Sequence, residues 1–336
     1  MLRPPSPSNK GRRQSKQKNV LSLQILSNKP WEIYHKQSEI VLSATQILEG
    51  RMKHAYLIIA HNEFEVLKKL LQAIDDQRND VFLHFDAKVK QIPEVAMQHA
   101  GLFILENRID VRWGHVSQIK AEYALFEAAR HVGNYRYYHL ISGTHLPLQS
   151  QDRIHDFYNN HADNQEVLMP MPVNEYQINL KMRRYNFFIK QYQHPNTFVR
   201  RFAQQGWKMA IKAQRILHIQ RNRNATFKIA ANWVSLTERG VERMLSKKKE
   251  ILKKYRFTLC GDEWFVPSEL ENSILKPHLL YYDRLLKHSI EKATAKTWHL
   301  KDYEELIHSG CLFARKFGRE DMEAVDKILN HIQSMQ

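Results

Sequence analysis

A chain of 336 residues, 43% of them hydrophobic, can form one large domain or two ordinary ones around a sizeable core, which excludes a wholly disordered protein. Its formal net charge of +16 favours polyanionic partners, whether nucleic acid, an anionic membrane surface or a phosphate-bearing substrate, without choosing among them. The two cysteines, Cys260 and Cys311, are too few for a disulfide framework and fit a reducing cytosol, and neither an apolar run of roughly 20 residues nor a signal-peptide pattern occurs.

Residues 1–51 differ in kind from the rest. Met1 to Asn19 is rich in Pro, Ser, Lys, Arg and Gln with almost no large apolar side chain, so it cannot bury enough surface to offset its ordering entropy and is expected to be disordered. Its basic run from Lys10 to Lys18 reads either as a tail for nucleic acid or membrane or as a solvated, even spurious, extension. Met52 directly precedes the first strand and is the expected start of a domain over 52–336.

From Ala55 the pattern alternates. Ala55 to Ala60 is an apolar run of buried-strand length, and Glu63 to Ile74 carries Phe64, Leu67, Leu70, Leu71 and Ile74 at helical spacing. Val81 to Phe85 is the next strand, completing a βαβ unit whose crossover makes the two strands parallel. Further strands are expected at Leu102 to Leu105 and Tyr137 to Ile141, with a helix from Ser117 to His131 between them. Glu166 to Pro172 and Ala230 to Leu236 read as strands, Phe198 to Arg221 as one long basic helix, and Glu238 to Tyr255 as one polar helix. Trp264 to Leu270 opens another helix with Pro267 in its first turn, and Asp302 to His308 and Arg319 to Ile332 close the chain as helices.

Ligands of open α/β sheets bind beyond the carboxyl ends of the strands. The first strand ends at Ala60-His61-Asn62 and the second at Phe85-Asp86-Ala87-Lys88, which puts both polar sets at one edge. Cys260-Gly261-Asp262-Glu263-Trp264-Phe265 sets two carboxylates in a Gly-containing break before a helix, making Glu263 the first candidate for a general base. Asp262 reads as an orienting residue or as the helix N-cap.

Four segments in this order, Ala55 to Asn62, Tyr138 to Leu148, Cys260 to Phe265 and Leu312-Phe313-Ala314-Arg315-Lys316-Phe317, resemble the core-2/I-branching β-1,6-N-acetylglucosaminyltransferase family, which includes the peptide O-xylosyltransferases. The resemblance runs from about Met52 to Asn330, and the low cysteine count suggests a bacterial, cytosol-facing member. It implies an α/β, GT-A-like nucleotide-sugar transferase fold, a single Rossmann-like domain with a central mixed, mainly parallel sheet. The implied reaction is an inverting transfer from a UDP-sugar, N-acetylglucosamine first and xylose second, to a glycan or lipid-linked glycan of a surface or capsular polysaccharide.

The resemblance also assigns residues. Ala60, His61 and Asp86 fall on the uridine-binding edge, Arg112, Trp113 and Ser117 with Lys120 near the donor, and Lys296, Arg315 and Lys316 where fixed cations meet the diphosphate. Glu166, Arg183, Arg184 and Tyr185 fall on the acceptor side, as do Asn232 and Trp233, whose ring either stacks on a sugar or packs in the core. His145 stands where relatives carry Asp. Sugar-nucleotide transferases often hold a divalent metal with Asp-X-Asp, but Asp86-Ala87-Lys88 has Lys in the second position, so no metal cofactor is expected.

From Arg200 to Lys228 there are eight Lys or Arg and no Asp or Glu, interleaved with Phe202, Trp207, Met209, Ile211, Ile216 and Leu217. That suits peripheral contact of 198–228 with an anionic inner leaflet, or a helix that packs its apolar face on the domain and solvates its basic one. The alternative from another class is a basic nucleic-acid-binding protein without catalytic activity, against which stands the lack of any zinc-finger spacing, helix-turn-helix or aromatic nucleic-acid motif.

Overall fold

The computed structural model describes residues 53–291 and 294–335, together with the backbone of Leu21–Leu23. The other residues of 1–51, and with them most of the expected disorder, lie outside the described residues. Leu21–Leu23 itself is a strand, β1.

The βαβ reading of the first half holds. β2 (His54–Ala60), α1 (Phe64–Ala73), β3 (Asn79–Phe85), β4 (Gly101–Leu105), α2 (Ser117–Val132) and β5 (Tyr137–Ser142) follow in order. Alternation along β2 shows why two helical layers are needed: Tyr56 and Ile58 enter the core shared with α1, whereas Ala55 and Leu57 enter the one shared with α2. β6 (His145–Pro147), α3 (Gln151–Asp156), β7 (Glu166–Leu168) and α4 (Thr197–Ile216) come next. They are followed by β8 (Ser235–Thr237), α5 (Glu238–Ser246), α6 (Lys248–Tyr255), α7 (Asp262–Glu271) and β9 (Leu279–Tyr281). The chain closes with β10 (Leu286–Lys287), β11 (Ile290–Glu291), β12 (Thr294–Ala295), α8 (Tyr303–Ile307), β13 (Phe313–Arg315) and α9 (Met322–Gln333).

Among the described residues the large sheet has the order β1-β4-β3-β2-β5-β8-β7-β9. β1 to β5 of this sheet are mutually parallel, and β8 lies antiparallel between β5 and β7. Because β8 is reversed, the residues that enter it, Asn232 and Trp233, sit at the same edge as the ends of β2, β3 and β5. A small sheet of order β10-β13-β6 holds the carboxyl-terminal part against that edge, with Arg315 opposite His145.

The middle of the chain departs from its pattern. The strand expected to reach Pro172 stops at Leu168, since Pro170 has no N–H for a ladder, and Pro170 makes an isolated bridge to Ala230 instead. The strand expected over Ala230 to Leu236 is β8 at Ser235–Thr237, with Ala230 left at the isolated bridge to Pro170. The long basic helix ends at Ile216, two residues before His218 turns left-handed at φ 53°. The polar helix is two, broken at Lys247. α7 starts two residues early, which puts Pro267 in its second turn, and its N-cap is Gly261, not Asp262.

At the opposite end of the sheet a polar group is buried. His139 bridges Ser235 Oγ (2.8 Å) and His54 Nδ1 (3.0 Å), His155 stacks on His54 at 4.0 Å, and His155 Nε2 meets Asn79 Oδ1 at 2.9 Å.

Candidate active site

The wall on which the sequence reading places the donor is a run of ionic and backbone contacts. Asp86, buried, accepts the N–H of Lys88 two residues on (2.8 Å), and the Lys88 ammonium closes on the same carboxylate at 2.6 Å. That ammonium also reaches Asp110 (3.2 Å), whose carboxylate forms an ion pair with Arg112 Nε at 2.8 Å. Arg112 N–H in turn donates to Ser117 Oγ (2.8 Å), so Ser117 is buried and pins the turn of Arg112 to His115. Gly114, at φ +68° where a side chain is strained, passes its carbonyl to Cys260 N–H (2.9 Å), joining the wall to the carboxylate turn. Trp113 and Lys120 are exposed, and Trp113 stacks on Tyr192.

Glu263 occupies the first turn of α7, half-exposed, with Lys181 Nζ 3.5 Å from its Oε2. Pro267 lacks the N–H that would bond the Glu263 carbonyl four residues back, and Ala230 N–H takes its place at 3.0 Å. The base candidate and the Asn232–Trp233 segment are therefore hydrogen-bonded together. Behind Glu263 lie two more acids. Asp262 accepts from Gln118 (2.8 Å), and Asn232 donates to Glu122 Oε1 (3.0 Å) and to the Asp262 carbonyl (3.2 Å). Burial, then the neighbouring Glu263, pushes Asp262 up to about 7. Burial, then Asp262, raises Glu122 well above the carboxylate range. Both therefore bind protons far more readily than ordinary carboxyls, and Glu263 is the member of the group that reaches solvent.

On the other side, Trp233 lies between the His145 ring (centroids 4.8 Å apart) and the Arg315 guanidinium (5.0 Å). His145 is fully buried, and burial followed by the Arg315 charge keeps it neutral. Phe317 N–H to the Thr144 carbonyl (3.0 Å) and Arg319 N–H to Glu63 Oε2 (2.8 Å) fasten the Arg315–Lys316 strand beside the Ala60–His61 turn. The charges of Asp86, Lys88 and Arg315 all act on the exposed His61 ring. Lys296 is paired with Asp302 at 2.9 Å, whereas Lys316, half-buried, has no carboxylate partner among the described residues.

Four expected acceptor-side residues are not part of this cluster. Glu166 is fully buried toward the amino ends of the parallel strands, where its oxygens accept Thr237 N–H (2.8 Å) and Thr237 hydroxyl (2.5 Å). A Cβ on Gly240 would stand 2.3 Å from it, so Glu166 is the internal anchor of α5. Arg183 pairs with Glu175 (3.2 Å), and Arg184 donates to the Ile219 carbonyl just past α4. Tyr185 N–H is bonded to Gln214 of α4 (2.8 Å). The residues missed are Lys181, Gln118 and Glu122. Gln118 and Glu122 recur at i, i+4 on α2, one face turned toward the carboxylate turn, but as polar residues they read as a solvated face.

A family model described as Branch: Core-2/I-Branching enzyme matches residues 54–325. No curated protein matches the chain. A similar solved structure is the crystal structure of S. aureus TarS 1-349, 9% identical, covering 67% of this chain and 73% of that one with a TM-score of 0.25, a likeness too distant to carry an argument.

Proposed function

The chain belongs to the Core-2/I-branching enzyme family and is a glycosyltransferase of GT-A-like fold; we propose that it is an inverting one, moving N-acetylglucosamine, or as second choice xylose, from a UDP-sugar to a glycan hydroxyl. Glu263 takes the proton of the acceptor hydroxyl while that oxygen attacks the anomeric carbon and the bond to the diphosphate breaks on the opposite face. One base suffices for that displacement. The observation that carries the reading is the position of Glu263: it is the solvent-reaching acid of a buried carboxyl group, bonded through Ala230 to the strand entry whose Trp233 carries Arg315.

The leaving diphosphate needs positive charge as the bond breaks. Lys88 stands where a metal site would need a second carboxylate, and its ammonium already neutralises Asp86. Among the described residues no cluster of three or more His, Cys, Asp or Glu suits a metal ion. In this proposal Lys316 and Arg315, with Lys296 behind them, supply the charge, and no metal is used. The acceptor is a glycan or lipid-linked glycan of a surface or capsular polysaccharide, met on the cytosolic side by an enzyme lying peripherally on an anionic membrane. Among the described residues no helix is long and apolar enough to cross a membrane. Incubation with a panel of UDP-sugars, reading UDP release with and without glycan acceptors, tests the proposal; no release from any UDP-sugar overturns it.

A further inference from the structure

α4 carries two apolar faces. The side packed on the domain is marked by the buried Ala203, Ile211 and Gln214 and by Trp207, whose indole N–H donates to Asn186 Oδ1 at 2.8 Å. Phe198, Phe202, Met209 and Ile216 are 83%, 74%, 72% and 66% exposed. At 3.6 residues per turn these four fall within an arc of about 40°, directly opposite the buried face. Arg201, Lys208, Lys212 and Arg215 form a second stripe along one flank of it. A packed helix normally has one apolar face, and a contiguous exposed stripe of aromatic and aliphatic side chains marks a contact surface.

We infer that this outward stripe of α4 is a docking surface for an anionic lipid bilayer, through which the enzyme meets a membrane-anchored acceptor. Charge chooses the occupant: no acidic residue lies between Arg200 and Lys228, and apolar insertion flanked by Lys and Arg matches the headgroup boundary of an anionic leaflet. Arg221, past the helix, does not share the role, because it is held against the Tyr185 and Phe257 rings and donates to the Lys254 carbonyl (2.6 Å). The stripe is also tied to the site. Asn186, which receives the Trp207 bond, donates to the Lys181 carbonyl at 3.2 Å, and Lys181 pairs with Glu263. The acceptor half of the inference rests on the transferase reading; the lipid half does not.

The test is flotation of the full chain with vesicles of phosphatidylglycerol and phosphatidylcholine, or of phosphatidylcholine alone. The native chain floats with the anionic vesicles at 0.1 M salt, and the triple variant F198S/F202S/M209S loses at least about tenfold in partitioning. R201E/K208E/K212E loses the anionic preference. UDP release measured without lipid is the independent readout: its retention in the triple variant shows an intact fold, and its absence in the native chain sinks the transferase reading while leaving the lipid result standing. Failure of the native chain to float, or equal flotation of the triple variant, overturns the inference. So does a dimer that the triple variant dissociates, which assigns the stripe to a second copy, or a DNA duplex that displaces the chain from vesicles.

Discussion

Lys181 Nζ stands 3.5 Å from Glu263 Oε2, across 82 positions of sequence, and is the cation that faces the proposed base. Glu263→Gln keeps the shape of the side chain and removes its ability to take a proton. Turnover is expected to fall by about 10²- to 10⁴-fold while UDP-sugar affinity stays within a few-fold. Lys181→Met, which disturbs only the placement of the base, lowers turnover by less. Normal turnover in E263Q, or a larger loss in K181M, contradicts the assignment.

Among the described residues Lys316 has no carboxylate partner, which suits it to a ligand's charge. Lys316→Ala is expected to weaken UDP binding by about tenfold or more and uridine binding hardly at all, since its partner is the diphosphate. Calorimetric titration with each ligand checks this, and equal weakening of both would place Lys316 elsewhere.

Because Lys88 neutralises Asp86, transfer is expected to persist in excess EDTA. Complete loss on chelation, restored by manganese, would falsify the metal-free proposal.

Glu166 separates a structural role from an acceptor role. Glu166→Ala leaves the buried Thr237 hydroxyl and N–H without their acceptor, which costs about 2–4 kcal/mol, so the melting temperature falls. Below that melting temperature KM for the acceptor is expected to match the native enzyme. A raised KM with unchanged stability returns Glu166 to the binding site.

Burial pushes His139 down to about 3 and His155 to about 4, and His54 is also lowered, first by burial and then by its neighbouring histidines. The unfolded chain takes up protons near pH 6.5, whereas the folded chain refuses them until pH 3 to 4. Stability is therefore complete above pH 6.5 and declines as pH falls through that window, by about 3 kcal/mol at pH 4 from His139 alone. Thermal melts from pH 8 to 4 read the effect, and a flat profile means that these histidines are not held neutral.

The first half of the fold was legible because each element carries its own signal: β2 is an apolar run from Ala55 to Ala60, β3 carries Val81, Phe82, Leu83 and Phe85, and α1 repeats its apolar residues every three or four positions. The resemblance singled out Glu263 and Arg315–Lys316 as candidates, and the reversed β8 is what brings in the segment whose Ala230 bonds the Glu263 carbonyl and whose Trp233 faces Arg315. The middle was not legible because its order comes from partners distant in sequence, as when Ala231 N–H bonds the Met169 carbonyl on one side and Ala230 N–H bonds the Glu263 carbonyl on the other. A lone Lys181 gives no periodicity, and Glu122 looks like any polar helix residue until burial beside Asp262 identifies it.

The proline in α7 makes the site depend on an imperfection. An N–H at position 267, as in Pro267→Ala, would let the helix complete its own ladder and compete with Ala230 for the Glu263 carbonyl. The helix would gain regularity while the proposed proton acceptor, Glu263, and the segment leading to Trp233 lost their shared hydrogen bond. A change that improves the segment taken alone would thus loosen the registration of the two halves of the reaction, which makes residue 267 a place where helix quality and catalytic alignment pull in opposite directions.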